Sequence, residues 1–374
     1  MTDSPLKSCE EQTELFGHDA AEQVFLRAID NNTIDGSWLI CGPKGVGKAT
    51  LAFRLARFLL SEERNGLFAQ KTNSLAIPET DAAFKAVARR SSPALKVVEC
   101  ALKPEELKAR QKLLENGETL DPAVEKARKR FSEIRIDDIR DAEEFMHLTA
   151  GAGKKRVLII DAADDMNVHA ANALLKSLEE PPPETVILLI SHAPGKLLPT
   201  IRSRCRRIAL KPLDNGMLDD FLKIYHPSLP DTERRALALL AEGSAGKALT
   251  LADSDGIRLF VELTDLFAGF PRISVPKLYD LTDKLYKDKE RFGLLQDLFV
   301  QWLTRVCVLS QNNGVFDEII PGEAEIVRKI CRFVPTLTLM DILSDIAAAF
   351  ADIDLDRKQV FVNAVLKLTR GINA

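Results

Sequence analysis

The chain has 374 residues, of which 46% are hydrophobic and 28% are charged, so it can bury a sizeable core and is not intrinsically disordered. Its formal net charge of -4 argues against a protein that holds DNA alone by neutralising phosphates, and any DNA contact is expected to be local or shared with partners. At roughly 150 residues a domain, the length predicts two or three domains.

Cysteine usage and hydropathy bear on the cellular compartment. The six cysteines are widely scattered without a C-x-x-C pair, which argues against a zinc site and a disulfide framework and indicates reduced thiols in a cytoplasmic protein. The first residues contain no apolar core of a signal peptide, and no run of about 18 apolar residues occurs, so no membrane span is expected.

The first part of the chain has the pattern of a helix, a strand, a glycine-rich loop and a second helix. The first helix is predicted over residues 17–30, where Ala20, Val24 and Ala28 recur at a near four-residue spacing. A short buried strand over residues 38–41 precedes the loop. The helix after the loop carries apolar residues on one face, namely Leu51, Leu55, Phe58 and Leu59.

A charged segment interrupts the middle of the chain. Residues 97–98 are predicted as a short strand, and residues 100–133 as an exposed helical or partly disordered insertion, because they are highly charged and poor in aromatic residues. Residues 134–136 are predicted as a strand, after which Asp137 caps a helix that runs to about Leu148.

Apolar runs then alternate with helical patterns, which is typical of a doubly wound α/β fold with a parallel sheet covered on both faces. Buried strands are predicted over residues 157–160, 185–190 and 208–210, and three prolines end the intervening helix, which begins at about residue 168. Strand signals stop near residue 212. The sequence therefore predicts three domains, which are an α/β domain over residues 1–212, small helices over residues 213–269 and a larger helical domain over residues 270–374.

A phosphate-binding loop is predicted between the first strand and the helix that follows it. The segment Gly42-Pro-Lys-Gly45-Val-Gly47-Lys48 fits the pattern G-x-x-x-x-G-K in the strand–loop–helix context that the motif requires. Glycines let backbone N–H groups turn inward and hold phosphate at the helix N-terminus, and Lys48 would reach the β- and γ-phosphates of ATP. The loop therefore indicates nucleotide-binding ancestry.

The position that should hold Mg²⁺ lacks its hydroxyl. A Ser or Thr should follow the lysine, whereas this chain has Ala49, and Thr50 points about 100° away around the helix. The sequence leaves open whether ATP is bound. Mg²⁺ is expected only together with bound nucleotide, and no zinc is expected.

A second catalytic element is also incomplete. The apolar run at residues 157–160 ends in Asp161, which matches the acidic strand that holds Mg²⁺, usually through water. Ala162 occupies the next position, where hydrolysing members of the AAA+ class carry a Glu that polarises the attacking water, and Asp164 and Asp165 lie beyond the strand end. Two losses on opposite sides of the γ-phosphate predict that hydrolysis is not the task of this chain.

Two further motifs carry a family resemblance. Residues 172–182 read Asn-Ala-Leu-Leu-Lys-Ser-Leu-Glu-Glu-Pro-Pro, and residues 203–205 read Ser-Arg-Cys. Together with the phosphate loop they resemble the bacterial clamp-loader subunits of DNA polymerase III, and the delta-prime type more closely than the gamma/tau type. The resemblance covers about residues 12–62 and 134–212 and implies the AAA+ version of the P-loop α/β fold.

The resemblance implies roles for single residues. In the family the Arg of Ser-Arg-Cys, here Arg204, acts in trans as an arginine finger on the γ-phosphate that the neighbouring subunit holds. Ser191 sits where relatives use a small polar residue to sense the γ-phosphate, and Gly246 aligns with an arginine of the relatives that hydrolyse ATP. The zinc-binding cysteine module that many relatives carry after the first helix has no counterpart in residues 63–100.

The resemblance also implies an assembly. With gamma/tau and delta subunits the chain would form a hetero-pentamer that opens a sliding clamp and loads it onto primer–template DNA. Residues 213–269 would then be a lid domain, and residues 270–374 a collar that holds the ring together. Basic residues that either touch DNA phosphates or form a solvated surface are Lys154, Lys155, Arg156, Arg202, Arg206 and Arg207.

Three alternatives stay open at this point. An active gamma/tau-type ATPase would need Thr50 or Asp164 to replace the missing groups. A purely structural scaffold would make no use of Arg204. An unrelated nucleotide-dependent enzyme, such as a kinase, is not favoured because the sequence contains no second-substrate constellation.

Overall fold

A five-stranded parallel sheet forms the centre of the N-terminal part of the chain. In the computed structural model the described residues are 7–62, 72–115, 129–147, 155–311, 317–351 and 356–370. The strands are β1 Gly36–Cys41, β2 Leu95–Val98, β3 Arg156–Asp161, β4 Thr185–Ser191 and β5 Arg206–Ala209. Their order across the sheet is β2-β3-β4-β1-β5, and every neighbouring pair is parallel. The predicted parallel α/β fold is confirmed.

Helices cover both faces of this sheet. They are α1 Asp19–Asp30, α2 Lys48–Leu60, α3 Ala82–Ala88, α4 Pro104–Glu115, α5 Ile136–His147, α6 Val168–Glu179 and α7 Pro199–Arg204. Successive strand residues point to opposite faces, so Leu188 of β4 lies in a core with α1 and α2, whereas Leu189 lies in a second core with α5 and α6. Burial on both faces explains why the central strands are continuous apolar runs.

The structure corrects three details of the predicted elements. Residues 134–136 are not a strand, because Ile134 makes only an isolated parallel bridge with Met166 and α5 already begins at Ile136. The backbone N–H of Arg135 donates to the Asp138 carboxylate at 2.8 Å, which favours this earlier start.

The other two corrections concern the cap of α5 and the buried face of α1. Asp137 lies inside the first turn of α5 and is therefore not its N-cap residue. The buried face of α1 includes Ala21 and Phe25, whereas Val24 is 42% exposed, so the spacing predicted the helix but not the side that is buried. Within the charged segment, α4 is helical as expected and Leu102 bridges Arg130 in antiparallel orientation. Residues 116–128 of that segment lie outside the described residues.

The described residues divide into two compact units. Those up to Met217, together with Ser244–Gly246, form the α/β unit, while Leu218–Gly243 and those from Lys247 onward form a helical unit. The remaining helices are α8 Asn215–Tyr225, α9 Asp231–Ala241, α10 Ala245–Asp253, α11 Gly256–Asp265, α12 Val275–Leu285, α13 Lys289–Gln311, α14 Glu323–Phe333, α15 Thr336–Ala351 and α16 Arg357–Arg370. The three-domain division, with boundaries at 212 and 269, stays a prediction.

Helix α13 is the longest helix of the helical unit among the described residues. By length and composition alone it could cross a membrane, and so could α14 with most of α15 taken as one span bent by 106°. More than half of the apolar window of α13, 56%, is buried inside the protein, as in a core helix. Its Trp302 is fully buried and packs against Phe267, with ring centroids 4.9 Å apart.

Truncation of a central strand residue tests the predicted importance of the two-faced sheet. Leu188→Ala should lower the free energy of unfolding by about 2–5 kcal/mol, because this fully buried side chain leaves a cavity that its neighbours cannot fill. Val168→Ala is the matched control, since Val168 is 64% exposed and its loss should change stability by less than about 0.5 kcal/mol. Urea unfolding measures both, and equal midpoints for the two variants would contradict the prediction.

Candidate functional site

Three predicted site elements meet at the carboxyl edge of the sheet. Cys41, the last residue of β1, pairs with Ser191, and Asp161, the last residue of β3, pairs with Ile190. Because β3, β4 and β1 are adjacent and parallel, the phosphate loop that begins at Gly42, the Asp161 carboxylate and the Ser191 hydroxyl lie side by side. Such an edge is where open α/β sheets bind ligands.

Lys48, the first residue of α2, is turned back onto its own loop. Its Nζ donates to the carbonyl oxygens of Gly42 at 2.7 Å and Pro43 at 2.6 Å, and the side chain is buried. Burial lowers the pKa of Lys48 to about 8, although attraction to Asp161 and Asp164 opposes the shift. Two of the three N–H donors of the ammonium group are therefore engaged within the loop itself.

Gly45 brings a second segment directly onto the phosphate loop. Its φ of +77° favours glycine, and an added Cβ would lie 2.3 Å from the Ser244 hydroxyl oxygen. The Ser244 hydroxyl donates to the Lys44 carbonyl at 2.9 Å, and the Gly246 N–H donates to the Gly45 carbonyl at 2.9 Å. Gly246 therefore contacts the phosphate loop through its backbone. Gly47, the residue before Lys48, also has a positive φ, of +105°.

The residue directly after Lys48 offers no metal-binding hydroxyl. Ala49 is half-buried and packs against the core between the sheet and α2. Thr50 follows about 100° further around α2, and its side chain acts on the Cys9 thiol of the N-terminal segment, whose pKa it lowers against the larger effect of burial. The loop residues thus fit a phosphate group better than they fit the Mg²⁺ that normally accompanies it.

The surroundings of Asp161 disfavour the ionised form of its side chain. Burial, with a contribution from the nearby Glu99, raises the pKa of Asp161 to about 6 despite the attraction of Lys48. Ala162 is buried and has no group that could activate water. The carboxylate of Asp161 could contact a metal ion, but its environment favours the neutral acid more than a free aspartate does.

Asp164, beyond the end of β3, is hydrogen-bonded to groups at the end of β4. Its carboxylate accepts a hydrogen bond from the Ser191 hydroxyl at 2.7 Å and others from the backbone N–H groups of His192 and Ala193, the latter at 3.3 Å. These contacts hold the end of β4 and the Ser191 side chain in place. Asp164 would have to give them up before it could act on water.

Arg204 lies at the opposite edge of the sheet from the phosphate loop. It ends α7, two residues before Arg206, and Arg206 pairs with Trp38 near the start of β1. At about 3.3 Å per residue along β1, Gly42 is roughly 13 Å further along the strand. Arg204 is exposed, and its guanidinium donates to the Thr200 carbonyl at 2.9 Å and forms an ion pair with Glu179.

The other candidate basic residues are largely engaged within the protein. Arg206 donates to the Thr33 carbonyl and stacks on Trp38, 5.1 Å from the ring centroid. Arg207 donates through Nε to the Cys41 sulfur at 3.1 Å. The remaining candidates are Lys155, which pairs with Asp35 at 2.5 Å, Arg156, which donates to the Met146 carbonyl, and the exposed Arg202, while Lys154 lies outside the described residues.

Sequence reasoning missed a group of charged residues beside Asp161. Arg90 pairs with Glu10 at 2.5 Å and with Glu99 at 2.8 Å, and both carboxylates bear on the pKa of Asp161. Glu10 and Glu99 lie far from Asp161 along the chain, and no spacing motif connects them. The partner of Arg204, Glu179, stands within the segment 172–182 that carries the family resemblance, so only that motif could have pointed to it.

Comparison with known proteins identifies the family of this chain. Residues 17–214 match the family described as "DNA polymerase III, delta subunit". The delta' subunit of Pseudomonas aeruginosa is 48% identical over 117 residues, which are 31% of this chain and 35% of that protein. The tau subunit of Escherichia coli is 36% identical over 126 residues, which are 33% of this chain and 20% of that protein.

A solved structure is similar over most of the chain but only loosely. The gamma subunit-related protein of DNA polymerase III from Thermotoga maritima covers 93% of this chain and 99% of its own length, with 18% identity and a TM-score of 0.41. These two curated relatives are matched over 35% and 20% of their own length. The family match covers more than half of the chain, and the chain therefore belongs to the delta-prime family of DNA polymerase III clamp-loader subunits.

Proposed function

We propose that this chain is the delta-prime-type subunit of a clamp loader, that it does not hydrolyse ATP and that it provides Arg204 to a neighbour. One contrast carries the proposal. The chain's own site has Ala49 and Ala162 where a metal-binding hydroxyl and a water-activating acid belong. Arg204 is instead exposed at the far edge of the sheet, away from the chain's own phosphate loop.

The proposed partners are those of the assembly. Gamma/tau-type subunits bind and hydrolyse ATP, delta completes the hetero-pentamer, and the ring acts on a sliding clamp and on primer–template DNA in the cytoplasm. The planar guanidinium of Arg204 would offset charge that develops on the neighbour's γ-phosphate as it is transferred. Any ATP held by this chain's own loop is not turned over, Mg²⁺ enters only with it, and zinc has no part.

An active gamma/tau-type ATPase is the second candidate, and the contacts of Asp164 weigh against it. The Asp164 carboxylate accepts three hydrogen bonds at the end of β4, and Thr50 lies about 100° around α2 from the position of the metal-binding hydroxyl. Both groups would have to shift to replace the missing catalytic ones. A delta-prime role needs no such rearrangement.

Reconstitution with cognate gamma-type and delta subunits and the sliding clamp tests the central role. Arg204→Ala should lower the DNA-stimulated ATPase turnover at the adjoining site about 10³-fold or more, because an arginine finger acts mainly in the transition state. Lys48→Met, which keeps the apolar stem, should change it little. Arg140→Ala is the control, since Arg140 is another exposed arginine of the α/β unit.

Because other active sites of the ring continue to turn over, this test needs a complex in which only the adjoining gamma-type site is competent. Full activity with Arg204→Ala in that complex would favour the scaffold alternative. A large loss with Lys48→Met would favour the active ATPase.

The purified chain alone should show no ATP turnover above the background of a Lys48→Met variant, because it lacks both the hydroxyl at position 49 and the acid at position 162. A phosphate-release assay measures this with and without primed DNA. Turnover that Lys48→Met abolishes would contradict the proposal.

If Asp161 does not serve hydrolysis, ionisation of its carboxyl group only lowers the stability of the fold. The folded-state pKa of about 6 lies above the usual 3.8, so stability is lost as pH rises through 6. Asp161→Asn should raise the free energy of unfolding by about 1–3 kcal/mol at pH 8 and by less at pH 5. Asp141→Asn, at an exposed position of α5, is the control, and a gain that does not shrink towards pH 5 would contradict the prediction.

A further inference from the structure

The Arg204 side chain is held at two points. Its Nη1 donates to the carbonyl oxygen of Thr200, one turn earlier in α7, at 2.9 Å. Its Nη2 forms an ion pair with the Glu179 carboxylate, which ends α6. A guanidinium has five N–H donors, so these two contacts leave most of the fork available for another anion.

Both ends of this ion pair are attached to rigid parts of the α/β unit. Leu178, next to Glu179, is 4% exposed, and Ile201 in the helix of Arg204 is fully buried, both within the same core cluster. Proline residues directly after Glu180 end α6 at this point. The carboxylate is therefore presented from a fixed backbone position, as a group that orients another side chain should be.

The second contact decides the direction of the guanidinium. An arginine held by the Thr200 carbonyl alone can swing about that one hydrogen bond, and a long exposed side chain has many rotamers to sample. A carboxylate acceptor at the second terminal nitrogen fixes the plane of the fork. The side chains of Arg204 and Glu179 are 33% and 51% exposed, so the pair contributes little to the stability of the fold.

We propose that Glu179 is a positioning residue for Arg204, holding the guanidinium in the direction from which it meets the phosphate of the neighbouring subunit. This inference rests on the proposed role of Arg204 in trans. Glu179 itself touches no nucleotide in this arrangement. Its effect is to remove the search among rotamers that an unrestrained arginine would make before each turnover.

The test uses the reconstituted complex with one competent adjoining site and measures kcat and KM for ATP. Glu179→Ala should lower kcat between about 10- and 100-fold, as expected for misplacement of a catalytic group, and leave KM within about 2-fold. Glu179→Gln keeps an oxygen acceptor and should recover part of the loss. Glu180→Ala is the matched control, since Glu180 is the exposed neighbour without the contact to Arg204, and it should leave both constants unchanged.

A double variant separates action through Arg204 from any independent effect. In an Arg204→Ala background, Glu179→Ala should cause no further loss, because the group that it positions is already gone. The thermal unfolding midpoint of Glu179→Ala should equal that of the unsubstituted chain, which rules out a structural cause for the loss of turnover.

The outcomes distinguish the two proposals. Unchanged or faster turnover with Glu179→Ala, or an equal further loss in the Arg204→Ala background, overturns the positioning role while the finger role stands. Faster turnover in particular would mean that Glu179 holds Arg204 away from the phosphate. No effect of Arg204→Ala itself overturns the proposed function, and the positioning role with it.

Discussion

Parallel pairing of β3, β4 and β1 is the constraint on which the rest of this molecule depends. Both faces of the central strands are buried, so a slip of one residue would exchange the two cores, and the register is therefore strongly specified. That register brings Asp161, Ser191 and the phosphate loop to one edge. The pairing of β5 with β1 places Arg204 at the other edge. The separation of the phosphate loop from Arg204 is therefore a property of the sheet.

The surroundings of the charged groups also differ between the two edges of the sheet. At the carboxyl edge, burial moves the pKa of Lys48 down to about 8 and that of Asp161 up to about 6, so each group is pushed towards its neutral form. Lys48 meets this by binding carbonyl oxygens of its own loop. At the amino edge, the guanidinium of Arg204 forms an ion pair with Glu179. At the first edge burial disfavours the charged forms, whereas at the second an ion pair lies partly exposed to solvent.

Local patterns predicted the sheet and the loop well, and for a physical reason. Strands β1, β3 and β4 are apolar runs bounded by turns or breakers, and the glycine-lysine pattern between a strand and a helix is specific to phosphate-binding loops. Residues 134–136 were misassigned because alternation over three residues does not distinguish a strand from the start of a helix. In α1, several apolar residues allowed more than one buried face, and packing against the sheet chose the side with Phe25.

The sequence did not predict which side chains contact each other. Asp164 follows the strand without any sign of its partner, and its hydrogen bond to Ser191 depends on the turn after β3 meeting the end of β4, 27 residues away along the chain. Glu179 and Arg204 likewise meet only because α6 and α7 end side by side. Such contacts depend on the tertiary structure, and no spacing pattern in the sequence predicts them.

The glycines of the loop show why a phosphate-loop motif can persist in a protein that no longer binds nucleotide. A side chain on Gly45 would collide with Ser244, and one on Gly42 would lie 2.4 Å from the Leu210 carbonyl oxygen, so protein neighbours alone forbid larger residues there. Selection for folding would then preserve the glycine signature in a lineage that had ceased to use nucleotide. In such lineages the residues flanking the glycines, and not the glycines themselves, record whether chemistry persists.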